Sequence, residues 1–183
     1  VIKDLQNKQM TLTHVLYNFS KPTIAMLPGA AAGAGLSIAL TCDFRYVNKN
    51  AFAIAGYGKI ALTGDYGISW LLPKIVGISN AKNIMFSNKR VSALEGLNIG
   101  LFDKIIEENN LLKSTLEFAN VLSSFSPLAL KAMKNNIQNY TELTLEESLL
   151  QEATVLINTS KSNDHKEGIK AFVEKRKPIF TGT

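Results

Sequence analysis

The chain has 183 residues, 46% of them hydrophobic and 19% charged, with 20 Lys and Arg against 15 Asp and Glu for a net charge of +5. That size and composition suit one folded domain with a substantial core, and they exclude a disordered tail and a collagen-like or mucin-like polymer. The single cysteine, Cys42, rules out an intrachain disulfide, and a lone thiol points to a reducing compartment, the cytoplasm.

Leu5, Leu12, Leu16 and Phe19 recur at helical spacing with Lys3, Lys8 and Gln9 between them, which predicts an amphipathic helix over the first twenty residues, ended by Lys21-Pro22. The polar residues within it exclude a secretory signal. The segment Thr23 to Cys42 carries no charge over a length that would just span a bilayer. Pro28, Gly29, Gly33 and Gly35 break it, however, into a strand over Thr23 to Leu27, a Gly/Ala turn and a helix from near Ala34.

Phe44 to Val47 and Phe52 to Ile54 read as short strands either side of the polar turn Asn48-Lys49-Asn50, and Asp103 to Ile106 supplies another. From Ser79 onwards helix signals dominate. Ser92 with Glu95 and Thr144 with Glu147 have capping-box spacing, Ser126-Pro127 sets a cap before a first-turn proline, and Asp164 with Glu167 starts a last helix by the same logic. With no internal repeat and no long linker, the expectation is a single α/β domain over 1–183, mixed over about 1–110 and helical over about 111–183.

The stretch with most chemical content is Gly29-Ala30-Ala31-Ala32-Gly33-Ala34-Gly35, between a strand and a helix. Small residues admit another group close to the main chain, and the N–H groups opening a helix are unpaired donors at the positive end of its dipole. The spacing is neither GxGxxG nor a phosphate loop with Gly-Lys-Ser/Thr. Residue types alone leave two readings, tight helix–strand packing or a site for an oxygen that becomes negative during reaction.

The flanks add a resemblance. Lys21-Pro22-Thr23-Ile24-Ala25, Pro28-Gly29, Gly33-Ala34-Gly35 and Leu40-Thr41-Cys42-Asp43-Phe44-Arg45-Tyr46 resemble the central signature of the crotonase superfamily, the enoyl-CoA hydratase/isomerase family. Lys59-Ile60, Leu62, Gly64-Asp65-Tyr66-Gly67, Trp70-Leu71-Leu72-Pro73 and Val76-Gly77 resemble its next block, and Phe172-Val173-Glu174-Lys175-Arg176-Lys177-Pro178 its C-terminal motif. The likeness runs in order along nearly the whole chain.

The resemblance implies a crotonase-like β/β/α spiral fold that binds acyl-CoA thioesters and stabilises a thioester enolate with two backbone N–H groups. By position the second donor falls on Ala34, and the first, with much of the CoA-binding surface, would belong to a stretch before Val1. Prepositioned donors act because the enolate oxygen is charged only during reaction. The two glutamates that hydratases of the family use correspond to Ser37 and Tyr57, neither a carboxylate. Asp65 lies where double-bond isomerases of the family place their proton-shuttling acid; its bland alternative is an N-cap for the helix holding Trp70 and Leu71.

The expected catalytic groups are therefore Asp65 and Ala34, with Gly33, Gly35, Tyr57, Tyr66, Trp70, Phe172 and Lys175 at the substrate. Tyr57 and Tyr66 either donate hydrogen bonds there or pack with satisfied hydroxyls. Lys170, Lys175, Arg176 and Lys177 either meet the phosphates of coenzyme A or form a solvated helix end; without interleaved aromatics they do not indicate nucleic acid. Leu149, Leu150, Ala153 and Leu156 resemble the family's assembly region, which implies a homotrimer or homohexamer. His14 and His165 read as surface residues and Cys42 as a small buried one; no metal and no cofactor beyond the substrate's coenzyme A are expected, nor a membrane span. Isomerase-type proton transfer is the leading reading. The alternatives are hydration through non-standard residues and a catalytically degenerate binding or assembly module.

Overall fold

The computed structural model describes residues 1–183 apart from the side chain of Glu108. They group into two compact units, one of Val1–Phe19 with Thr23–Glu117 and one of Ser20–Pro22 with Phe118–Thr183. Among the described residues no helix is long and apolar enough to cross a membrane.

The first unit opens with α1 (Ile2–Gln9), which runs through a π-helical turn (Met10–His14) into α2 (Val15–Tyr17). Two three-stranded sheets follow. One has β1 (Ile24–Leu27), β3 (Phe44–Asn48) and β6 (Lys104–Ile106); the other has β2 (Ala30–Ala32), β4 (Phe52–Ile54) and β5 (Val91–Ser92). Ile24 lies opposite Phe44, Tyr46 opposite Lys104 and Ala30 opposite Phe52 in parallel ladders, and Ala53 faces Val91 antiparallel.

The strands on either side of Asn48-Lys49-Asn50 therefore belong to different sheets. Asn48 builds the step: its Oδ1 accepts the Asn50 N–H at 2.9 Å and its carbonyl accepts the Ala51 N–H at 2.9 Å. From β1 to β4 the chain changes sheet at every strand, and after β5 it returns to the first sheet at β6, with α3 (Ala34–Leu40) covering the crossover from β2 to β3. This is the β/β/α spiral.

Fully buried Leu36, Val47, Ala53, Leu72, Val91 and Leu101 fill the centre of the unit. Of the three alanines of β2 only Ala31 is buried, on the strand that pairs with β4 and packs beside α3. Arg45 of β3 is buried, and each of its groups has a partner: Nε donates to the Leu101 carbonyl at 2.7 Å, Nη1 to Cys42 O at 2.8 Å, and Nη2 meets Asp103 at 3.0 Å. Burial lowers the Arg45 pKa and the Asp103 charge opposes that. The Arg45 N–H donates to Asp103 Oδ2 at 2.7 Å and the Asp103 N–H to Arg45 O at 3.0 Å, which holds the start of β6 on β3. The long helix α4 (Ile68–Ser87), with Pro73 inside it, is interrupted at Gly77 (φ 76°, ψ 159°). It leads through β5 to α5 (Ala93–Asn98), capped by Ser92 as its spacing to Glu95 predicts.

Helix α6 (Leu111–Ser123) leaves the first unit, and α7 (Pro127–Gln138), α8 (Leu145–Ser160) and α9 (Asn163–Val173) make up most of the second. Ser126 caps α7, and Thr144 with Glu147 forms a complete capping box on α8. The start of α9 corrects the sequence reading. Its cap is Ser162, whose Oγ accepts the His165 N–H at 3.0 Å, whereas Asp164 turns inward, 2% exposed. There it accepts from Ser126 Oγ at 2.7 Å and from the Thr181 and Gly182 N–H groups at 2.8 and 3.1 Å, tying the C-terminal tail to α7 and α9. Asp-x-x-Glu matched the capping pattern, but burial assigned the aspartate to long-range donors instead.

Candidate active site

The Gly/Ala turn becomes β2, then Gly33, then α3. Gly33 takes φ 50° and ψ −124°, a conformation open to glycine, and its N–H donates to Ile54 O of β4 at 3.1 Å. Ala34 is the first helical residue, and its N–H has no acceptor within the helix. One turn on, Ser37 is fully buried; its N–H donates to Gly33 O at 3.0 Å, and its Oγ lies 3.2 Å from the same oxygen.

Beyond β4 the chain turns sharply. Gly56 (φ 81°) and Ala61 (φ 56°), both left-handed, bracket a 3-10 turn over Tyr57–Ile60, and Asn88 Oδ1 anchors it by accepting the Gly56 N–H at 2.6 Å. The turn drives Tyr57 into the core, 6% exposed, with its ring against Gly33, where a Cβ would meet the ring at 3.9 Å. A second run of left-handed residues, Gly64 (φ 120°), Tyr66 (φ 48°) and Gly67 (φ 83°), presents Asp65 to that ring.

Three side chains thus join in a line. Ser37 Oγ and Tyr57 Oη are 3.1 Å apart, and Tyr57 Oη donates to Asp65 Oδ1 at 2.5 Å. Burial and the bond to Asp65 push the Tyr57 phenol up to about 12, so it remains a neutral donor at physiological pH. The alternative role for Asp65 fails: Gly67, not Asp65, stands at the N-cap of α4, and the aspartate side chain is turned to Tyr57.

Tyr66 and Trp70 belong to a neighbouring cleft of about 420 Å³, lined also by Met10, Thr13, His14 and Tyr17. Thr13 Oγ1 donates to Tyr66 O at 3.2 Å, Tyr17 packs edge-on to Trp70 at 5.2 Å, and Lys74 Nζ sits 3.7 Å above the indole. The cleft and Asp65 share the loop Gly64 to Gly67. His14, read as a plain surface residue, is exposed but lines this cleft. Local sequence gave no sign of it, because the opposite wall is some fifty residues away along the chain.

Gly35 is exposed and has open space where a Cβ would stand. Phe172 and Lys175 lie in the second unit. Phe172, 85% exposed, lines a cavity of about 430 Å³ with Leu156, His165 and Phe180. Lys175 takes φ 54° just after α9, where its N–H donates to Phe172 O. Within the basic cluster, Arg176 is held bidentately by Glu167 and also by Glu174, and the guanidinium holds the Glu167 carboxyl down at about 2.

Residues 3–183 match the family model described as enoyl-CoA hydratase/isomerase. The chain belongs to the enoyl-CoA hydratase/isomerase family. It is 34% identical over 157 residues to the short-chain-enoyl-CoA hydratase of Clostridium acetobutylicum, covering 86% of this chain and 60% of that protein. It is 33% identical over 187 residues to an enoyl-CoA isomerase/hydratase of Mycosarcoma maydis, covering all of this chain and 66% of that one. The solved enoyl-CoA hydratase from Bacillus anthracis superposes with a TM-score of 0.91 at 28% identity, over 96% of this chain and 68% of that chain. The α/β crotonase-like fold expected from the three motifs is therefore the fold found. The chain spans less than two thirds of the length of the C. acetobutylicum and M. maydis proteins. Relatives in the family include both hydratases and isomerases by name.

Proposed function

We propose that this chain carries the proton-transfer centre of an acyl-CoA enzyme that moves a double bond along a 3-enoyl thioester. Asp65 takes a proton from C2 and returns it to C4, and the dienolate between the two steps rests its oxygen on the Ala34 N–H. The thioester carbonyl regains its double bond as C2=C3 forms, so protons and electrons balance with no cofactor beyond the coenzyme A of the substrate. The observation that carries this reading is the 2.5 Å bond from Tyr57 to Asp65, which sets a carboxylate beside the two positions where hydratases of the family have glutamates. With serine and a neutral tyrosine there, no carboxylate pair is available to activate water.

The distal acyl group is assigned to the Trp70 cleft, with Gly33 and Gly35 at the thioester and Tyr66 on the cleft wall. Phe172 and Lys175 are assigned to the nucleotide end of coenzyme A. A trimer or hexamer in the cytoplasm completes the reading, supported by exposed Leu149, Leu150 and Leu156 on α8 and by the lone Cys42.

The test compares 3-enoyl-CoA isomerisation with 2-enoyl-CoA hydration by the full-length protein and its Asp65→Asn variant. Loss of a positioned acid/base lowers kcat by about 10²–10⁴. A variant that isomerises at the wild-type rate removes Asp65 from the mechanism. A wild type that hydrates but does not isomerise favours the hydratase reading, and one that does neither while still binding acyl-CoA favours the binding module.

A further inference from the structure

We propose that Ser37 and Tyr57 are positioning residues that hold the Asp65 carboxylate by Oδ1 and leave Oδ2 to face the substrate carbon. The inference rests on Asp65 being the proton carrier and goes beyond it by assigning work to the two groups that replaced the glutamates.

Hydrogen counting gives the direction of the chain. An ionised carboxylate only accepts, and a phenol has one hydrogen, so at 2.5 Å that hydrogen points to Asp65 Oδ1. Tyr57 is then an acceptor on its other side, where the Ser37 hydroxyl lies 3.1 Å away with Gly33 O as its alternative acceptor at 3.2 Å. Tyr57 has no second hydrogen to offer a substrate, which makes it a support for Asp65 rather than a substrate donor.

The need for support is visible in the backbone. Asp65 sits on a short loop between left-handed Gly64 and Tyr66, and among the described residues its side chain has no hydrogen-bond partner other than Tyr57. The supporting pair, by contrast, is rigid. Ser37 is fully buried on α3, and Tyr57 is wedged against Gly33 by a turn that Asn88 anchors. Ser37 is also one turn from Ala34, and its N–H donates to the carbonyl of the Gly33–Ala34 peptide at 3.0 Å, which leaves its single hydroxyl hydrogen for Tyr57. One hydrogen-bonded line therefore fixes the carboxylate relative to the peptide group that bears the Ala34 N–H. Misplacement by about 1 Å costs up to about 10²-fold in rate, so such a line has a kinetic use.

The experiment measures kcat and KM for 3-enoyl-CoA isomerisation with Tyr57→Phe, Ser37→Ala and the double variant, alongside Asp65→Asn and thermal melts of each. Tyr57→Phe keeps the ring and its packing. The expected result is a kcat lower by about 10- to 100-fold with KM within about twofold, a smaller loss for Ser37→Ala, and no further loss when Ser37→Ala is added to Tyr57→Phe. Wild-type kcat in Tyr57→Phe while Asp65→Asn is inactive overturns the positioning role and spares the proton carrier. Wild-type kcat in Asp65→Asn overturns the proton carrier itself. Additive losses in the double variant overturn the line through Tyr57, and if Tyr57→Phe does not fold, an unchanged kcat in Ser37→Ala is sufficient to do so.

Discussion

Replacing Asp164 by Asn tests whether the C-terminal tail is held by a buried charge. The carboxylate accepts from Ser126 Oγ at 2.7 Å, from Thr181 N–H at 2.8 Å and from Gly182 N–H at 3.1 and 3.2 Å. An asparagine keeps one acceptor oxygen and turns an amide donor towards the remaining donors. The loss is at least one hydrogen bond to a charged group, about 1.5–3 kcal/mol. In a chain of this length about 1 kcal/mol moves Tm by about 2–4 °C, so a loss of about 2 kcal/mol lowers it by about 4–8 °C.

The pH dependence supplies the sharper criterion. Burial pushes the Asp164 carboxyl up, but the bonds from Ser126, Thr181 and Gly182 outweigh it and hold the group below its ordinary value. A depressed acid stabilises fully above its unfolded pKa of about 4, and the contribution disappears as pH falls through the folded value. The gap in Tm between wild type and Asp164→Asn should therefore be widest near neutrality and close in acid, with faster exchange of the Thr181 and Gly182 amides in the variant at pH 7. Equal melting at pH 7, or a gap that persists in acid, refutes the argument.

Two further expectations concern the first unit. Asp103→Ala leaves the buried Arg45 guanidinium without its counter-charge and should lower the urea midpoint by the equivalent of about 3 kcal/mol, because an uncompensated buried charge remains; an unchanged midpoint contradicts this. In an alkaline ultraviolet titration, Tyr57 should ionise near 12, so Tyr57→Phe removes a late step; loss of a step near 10 instead would mean the phenol is not buried and bonded as described.

Much of the fold was legible because its signals are local. Strand β1, the helix after the glycine turn and the caps at Ser92, Ser126 and Thr144 follow from hydrophobic period and from side chains that reach two or three residues. The motifs also brought Ala34, Ser37, Tyr57 and Asp65 to attention. Their junction was not legible, because it depends on left-handed Gly56, Ala61, Gly64 and Tyr66, and two of those are residues with no turn preference. Likewise Asp164 looked like a cap because its partners, Thr181 and Gly182, are long-range, and nothing near Asn48 announces that the next strand joins another sheet.

The change of sheet at Asn48 also bears on how the chain tolerates insertions. Tyr57 comes three residues after Ile54, which is fixed opposite Ala32 just before Gly33. One residue added to the Asn48-Lys49-Asn50 step that slid β4 along β2 would move Tyr57 by about 3.3 Å and reverse the faces of the strand. That displacement exceeds the 3.1 Å separation between Ser37 and Tyr57. The mostly exposed segment 139–144 between α7 and α8 carries no such register. Length variation among natural relatives should accumulate there, while the three-residue step keeps its length even where its sequence drifts.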